Sequence, residues 1–331
     1  MELTRDQKKA IHTLESHLMI VAGPGSGKTR VLTEKAAYLI NHGIPPKDIL
    51  LTTFTVKAAE EMRKRIAQLT KADIGEMFIG TLHSLADHLM KEYGETGYRI
   101  LGNYERYFYI RKHLSHVFSH IKKGDPAAFL MGFYDTLSEN YIVGERFERW
   151  RDEIAERVGE EVVDSYLEYQ EKLEEDKYID YSLLQVRAYQ LLERTPYKKE
   201  YVMVDEFQDI NPIQWKIIKR LGKWFVVVGD KNQSIYGFRG ANPNIFERFE
   251  EEFPDALKIY LRKNFRSKQE IVDNLNRFLE WAGRKEMELE GVRGKGGIVG
   301  IVHKETWLEE IDWIVEAIKK AKRYTSHYSD I

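Results

Sequence analysis

Cysteine is absent from the 331 residues, which excludes disulfide staples and thiolate-bound metals. An excess of one charge is missing too: 51 Lys and Arg stand against 53 Asp and Glu, for a formal net charge of -2. A field able to draw in nucleic acid over a distance is therefore excluded, and any polyanion must be held by local clusters of Lys and Arg. No apolar run approaches the ~18 residues of a membrane span. The start, Met1-Glu2-Leu3-Thr4-Arg5-Asp6, does not read as a signal peptide. These absences point to an enzyme of the cytoplasm with no membrane partner. What is present is a hydrophobic fraction of 43%, ample for a core, in a chain long enough for about two or three domains.

The pattern along residues 3–85 alternates between helix and strand. Residues 4–17 read as a helix opened by a Thr4–Gln7 capping box. A short apolar strand, 18–22, leads into the glycine-rich stretch 23–27 and an amphipathic helix, 28–42. Strands follow at 49–54 and 77–81, each with a helix after it. This is the signature of a parallel sheet covered by helices. Over 86–184 only helical spacing is legible and no clear strand. The α/β pattern resumes with strands at 201–204, 224–229 and 257–261. A helix at 268–281, a Gly-rich turn at 291–297, a strand at 298–302 and a helix at 307–322 complete the reading.

Two stretches carry chemistry. Ala22-Gly23-Pro24-Gly25-Ser26-Gly27-Lys28-Thr29 fits the phosphate-binding loop, with Ala22 in place of the first glycine. Gly23, Gly25 and Gly27 let backbone N–H groups turn inward around phosphate oxygens, with Ser26 between them. The following helix aims its positive end at the same anion. Lys28 neutralises the outer phosphates and Thr29 offers a hydroxyl to Mg2+. Val204-Asp205-Glu206-Phe207-Gln208-Asp209 follows a strand, at the edge where parallel sheets hold ligands. There Asp205 is a metal ligand and Glu206 polarises the attacking water. Together the stretches describe one ATP site using ATP and Mg2+.

The remaining motifs narrow the class. Gly229-Asp230-Lys231-Asn232-Gln233-Ser234-Ile235-Tyr236-Gly237-Phe238-Arg239-Gly240, Leu261-Arg262-Lys263-Asn264-Phe265-Arg266, Thr52-Thr53-Phe54-Thr55, Gly80-Thr81-Leu82-His83 and Leu3-Thr4-x-x-Gln7 resemble, with the two stretches above, the ordered motif set of the UvrD/Rep family of superfamily 1 DNA helicases. The resemblance implies that Gln7 reads adenine, that Arg30, Arg239 and Phe265 border the nucleotide, and that Gln233 senses the γ-phosphate. It makes Arg266 an arginine finger. It lays Phe54, Thr55, Thr81, His83, Tyr236 and Phe238 along single-stranded DNA. Plainer roles stay open: Gln7 as a capping residue, Phe54 and Phe238 as core, His83 as a packed histidine, Arg266 as a surface ion-pair residue. Departures from the family pattern are Val56 for Asn, Phe238 for Trp, Phe265 for Tyr and Lys231-Asn232 for Pro-Asp.

The expected fold is a RecA-like P-loop α/β sheet, with an α-helical insertion and a partial second α/β domain. The expected boundaries are 1–85 and 185–262 for the ATP-binding motor domain, 86–184 for the insertion and 263–331 for the beginning of the second motor domain. Two later family stretches, Thr-x-His-x-x-Lys-Gly-Leu-Glu and Thr-Arg-Ala, do not occur. The expected function is that of an ATP hydrolase of the DNA helicase or single-strand translocase kind, moving 3′ to 5′. By itself this polypeptide is expected to bind ATP and DNA without unwinding. The expected partners are single-stranded DNA or a 3′-tailed duplex, with a second polypeptide or dimer partner completing the motor. A nucleotide-switched DNA-binding module and a subunit of a helicase–nuclease assembly are the alternatives.

Overall fold

The computed structural model describes residues 2–234, 237, 240–284 and 287–324. It divides into two units, Met1–Arg266 and Ser267–Ile331. The first unit opens with α1 (Arg5–His12), β1 (Leu18–Ala22), α2 (Lys28–Asn41), β2 (Ile49–Thr52), α3 (Val56–Leu69), β3 (Phe78–Gly80) and α4 (Leu82–Glu92). A mostly helical excursion follows: β4 (Arg99–Ile100), α5 (Asn103–His113), α6 (Pro126–Glu139), α7 (Glu145–Val158), α8 (Glu160–Glu175), β5 (Tyr178–Ile179) and α9 (Tyr181–Arg194). The sheet is then completed by β6 (Lys199–Val204), α10 (Pro212–Leu221), β7 (Gly222–Gly229), α11 (Ile245–Glu252) and β8 (Leu257–Leu261).

The six-stranded sheet has the order β3-β2-β6-β7-β1-β8, and every adjacent pair is parallel. All strands therefore end at one edge, where Ala22, Thr52, Gly80, Val204, Gly229 and Leu261 hand over to loops. Side chains alternate across the pleat. Ile20, Leu51, Met203, Val228 and Ile259 join the core beneath α1, α2 and α3. On the other side Phe207, Trp215, Phe225, Phe249 and Phe253 form a contiguous aromatic cluster.

Three expectations are corrected. Helix α1 stops at His12 rather than at 17, because Thr13 turns extended. The buried Lys35 ammonium donates to the carbonyls of Ala10 and Thr13 at 3.1 and 2.5 Å, a tertiary cap for the end of α1. The excursion contains strands after all: β4 and β5 pair in parallel, Arg99 with Tyr178 and Ile100 with Ile179. Two-residue strands are too short to leave a period-2 pattern. The third correction lies in the second unit. Residues 298–302 form no strand, and Ile298 and Ile301 are 93% and 98% exposed.

The second unit holds α12 (Gln269–Trp281) and α13 (Trp307–Ala321). Val272, Leu279, Met287 and Leu289 are its buried apolar residues. Asn276 clasps Leu289 by both backbone groups, at 2.8 and 2.9 Å. Glu270 accepts from the N–H groups of Gly296 and Gly297, which ties down the Gly-rich turn.

Candidate active site

The loop after β1 needs its glycines for two reasons. Gly25 and Gly27 have φ of 69° and 84°, where a side chain is strained. A Cβ at Gly25 would also meet Arg266 Cβ at 2.7 Å, and one at Gly27 would meet Gln7 Nε2 at 3.1 Å. Ser26 folds back within the loop, its hydroxyl donating to Gly23 O at 2.7 Å. Helix α2 starts at Lys28 with Gly27 as its left-handed N-cap, so its unpaired N–H groups point out of the loop.

Lys28 Nζ donates to Glu206 Oε2 at 2.9 Å, with the lysine side chain 12% exposed. Glu206 occupies a left-handed conformation, φ 49°, which carries the chain sharply away from β6. Asp205, just before it, is buried, and its Oδ1 has no hydrogen-bond partner. Burial first, and then the Glu206 charge, push the Asp205 carboxyl up to about 7. The same two causes push Asp209 up to about 6. An orphaned buried carboxylate oxygen under the influence of the Lys28 charge, with the Thr29 hydroxyl on an exposed residue next to Lys28 in the chain, fits a hard divalent cation. Mg2+ is usually held by one or two protein oxygens, with phosphates and waters supplying the rest. Among the described residues no group of three or more His, Asp and Glu side chains is arranged as a complete metal cage.

The acidic stretch is wired to the end of β7. Gln208 donates from Nε2 to Glu206 Oε2 at 2.9 Å and accepts at Oε1 from the Asp230 N–H at 2.9 Å. Gln233 then donates to Asp230 Oδ2 at 2.7 Å. Gly229 permits this approach, since a Cβ there would stand 2.5 Å from Gln208 Oε1. Sequence reasoning gave Gln208 and Asp230 no role, although both stand inside the motifs. The chain after β8 also closes on the phosphate loop. Asn264 Nδ2 donates to Pro24 O at 2.8 Å, and the Phe265 N–H donates to Gly25 O at 2.8 Å. With the Arg266 stem against Gly25, these bonds bring residues 264–266 onto the loop.

The other expected residues sit in different settings. Gln7 is buried and engaged at both ends of its amide: Oε1 accepts from the Thr4 N–H at 3.0 Å and Nε2 donates to Ser26 O at 2.9 Å. It braces the loop as well as completing the capping box. Arg30 pairs with Glu34 along α2 at 3.1 Å. Thr55 and Thr81 are N-caps, accepting from Ala58 N–H and Ser84 N–H at 3.1 Å each. Phe54, Thr81 and His83 line a cavity of about 260 Å³ with Asp205, Glu206 and Gln214. Phe54 is 44% exposed there. His83 Nε2 lies 2.8 Å from the Gln185 amide nitrogen, and burial lowers its pKa against a smaller opposing pull from Asp135. Tyr236, Phe238 and Arg239 lie outside the described residues.

A family model described as UvrD/REP helicase N-terminal domain matches residues 3–254. The chain is similar to YjcD of Bacillus subtilis (strain 168), at 36% identity over 82% of this chain and 37% of that one. It is similar to PcrA of Leuconostoc citreum, at 32% identity over 99% of this chain and 46% of that one. PcrA of Staphylococcus epidermidis is 30% identical over 99% of this chain and 47% of its own. Both PcrA proteins are named ATP-dependent DNA helicases. The chain thus spans less than half the length of these relatives.

Proposed function

The chain belongs to the UvrD/REP helicase family, and from that premise we propose that it hydrolyses ATP and binds single-stranded DNA as part of a 3′-to-5′ translocase. In this reading 1–85 and 185–262 are the motor domain, 86–184 its insertion and 263–331 the beginning of a second motor domain. The observation that carries it is the Lys28–Glu206 pair beside the orphaned Asp205 oxygen, at the mouth of a glycine loop. When a triphosphate enters, Lys28 exchanges Glu206 for phosphate oxygens. Glu206, freed of the lysine, then orients a water and takes its proton as the water oxygen bonds to phosphorus and ADP departs. Thr29 and Asp205 would hold the magnesium ion, which neutralises phosphate charge when bound. Arg266, its stem already against Gly25, adds positive charge from the far side of the loop. Gln208 and Asp230 link the hydrolytic carboxylate to Gln233.

The cavity under Phe54, Thr81 and His83 opens beside the same carboxylates, which suits a DNA strand whose grip depends on nucleotide. A steady-state ATPase assay with and without oligo(dT) tests the reading. DNA-stimulated turnover that Lys28→Ala abolishes supports it. DNA affinity that changes with nucleotide while turnover stays absent would replace it with a nucleotide-switched binding module. On this reading the 331 residues alone do not unwind a 3′-tailed duplex, because translocation needs two domains gripping DNA alternately. Robust unwinding by the purified 331-residue chain would overturn that part.

A further inference from the structure

An open groove of about 780 Å³ runs between the start of α7 and the end of α9. Its lining includes Arg146, Arg149 and Trp150 from α7 and Gln190, Glu193 and Arg194 from α9. Each trio is spaced i, i+3, i+4, so each shares one face of its helix. The three arginines are exposed, and Trp150 is 41% exposed. Among the described residues none of these arginines forms an ion pair, and of the two acids in the lining Glu193 is engaged elsewhere. Glu193 accepts from the Tyr141 hydroxyl at 3.2 Å and lies 3.8 Å from Arg220. Glu145 stands in the first turn of α7, where it offsets the positive helix end. Beside the groove, Lys216 Nζ lies over the rings of Tyr141 and Tyr189 at 5.3 and 5.4 Å. Burial, and then the charges of Arg146, Lys219 and Arg248, lower its pKa against a smaller opposing pull from Glu193. The lining sets three arginines against two acids, Arg146 also bears on Lys216, and an anion would relieve that repulsion.

We propose that this groove is a second seat for single-stranded nucleic acid, with the arginines on phosphates and Trp150 as a stacking face. A single strand suits it better than a duplex, whose bases are already stacked and leave an aromatic side chain nothing to cover. Helix α9 supplies continuity. It runs from Gln185, beside His83, to Arg194 in the groove, a rise of about 13 Å at ~1.5 Å per residue. A strand leaving the strand-end cavity would reach the groove within a few nucleotides. The inference rests on the DNA reading of that cavity.

The test uses the full chain, Arg146→Ala/Arg149→Ala/Arg194→Ala, and fluorescein-labelled oligo(dT) of about 6 or about 20 nucleotides, sizes that bracket one or two seats. ATP turnover without DNA and far-UV circular dichroism should be unchanged, since all three positions are exposed and away from the ATP site. Anisotropy titrations should show the long oligonucleotide bound roughly tenfold or more weakly by the variant, with a salt slope shallower by about 2 for three lost phosphate contacts. The short oligonucleotide should be bound as by wild type. Trp150→Ala should weaken the long complex without changing that slope. Identical affinities and slopes for variant and wild type, or equal losses at both lengths, would overturn the groove assignment alone. Loss of binding to an oligo-glutamate peptide without loss of oligo(dT) would reassign the groove to an acidic protein partner. A wild-type chain that binds neither oligonucleotide would instead remove the DNA reading of the cavity, and this inference with it.

Discussion

In the first unit β1 buries all five of its residues and α2 buries eight of fourteen, whereas α13 in the second unit buries none. Both helices have apolar residues at helical spacing, yet Trp307, Ile311 and Ile314 of α13 are 68%, 46% and 41% exposed. The helix forms in both places because an α-helix satisfies its backbone within itself. The Thr306 cap of α13 is intact, accepting from the Glu309 N–H at 3.3 Å. The apolar run at 298–302 has no such recourse. A strand needs a neighbour for its N–H and C=O groups, and among the described residues none pairs with it. The contrast separates what a segment can do alone from what it can do only in company.

If function follows burial, the largest effect of any single change should fall on the polar edge of the sheet unit. Glu206→Gln is expected to keep nucleotide binding and lower turnover by roughly 10²- to 10⁴-fold, the usual worth of a positioned general base. Lys28→Ala should lose nucleotide affinity as well. Fluorescent-nucleotide titration beside a coupled ATPase assay separates the two effects, and equal loss of binding in both variants would make Glu206 structural. A stability comparison comes next. Trp215→Ala, fully buried among Phe207, Phe225 and Phe249, should cost about 3–5 kcal/mol. Trp307→Ala on α13 should stay within about 0.5 kcal/mol. Urea unfolding measures both, and comparable losses would mean that α13 is covered in solution.

The same division governs what could be read in the sequence. The phosphate loop and the Asp205–Glu206 box were legible because each is a short local pattern with a strand before it. The reason for Gly25 was half legible: a tight loop follows from the motif, but the approach of Arg266 Cβ to Gly25, like that of Gln208 Oε1 to Gly229, joins residues far apart in the chain. The carbonyls at the early end of α1 are capped by Lys35, more than twenty residues onward, and no local signal announces it. Thr55 and Thr81 could have been recognised as N-caps from the helices that follow them. The DNA motif took precedence over that simpler reading. The groove between α7 and α9 left a trace as the i, i+3, i+4 spacing of Arg146, Arg149 and Trp150, but only the fold brings Arg194 opposite.

A smaller effect concerns DNA rather than stability. Phe54 is half exposed at the cavity mouth, so Phe54→Ala should barely change unfolding. It should weaken oligo(dT) binding by about 1–3 kcal/mol if the ring stacks on a base. An unfolding midpoint that drops as for Trp215→Ala, with DNA affinity intact, would move Phe54 from the interface to the core.

The gentlest contrast is in pH dependence, and it turns on Lys35. This side chain is almost fully buried, and burial pushes its pKa from 10.5 down to about 8. Between about pH 8 and 10.5 the unfolded chain therefore holds a proton that the folded chain has released. Stability rises with pH wherever the unfolded state binds more protons. The Lys35 contribution should thus grow as pH rises through that window, by at most ~1.4 kcal/mol per pH unit, and stay flat below it, where both states are protonated. Lys35→Met removes the titration. It also leaves the carbonyls of Ala10 and Thr13 without their donor, at a cost of about 1–3 kcal/mol. Thermal unfolding of both proteins from about pH 7 to 10.5 should give curves that diverge as pH rises, with the wild type gaining. Parallel curves would show that the three carbonyls around Nζ hold the ammonium charged across the range, so that Lys35 acts as a charged cap on α1. No residue of α13 is buried, so that helix has no side chain desolvated in this way. A divergence of the same sign from a substitution on α13 would show that the helix is buried in solution and that the contrast between the two units is smaller than their exposures imply.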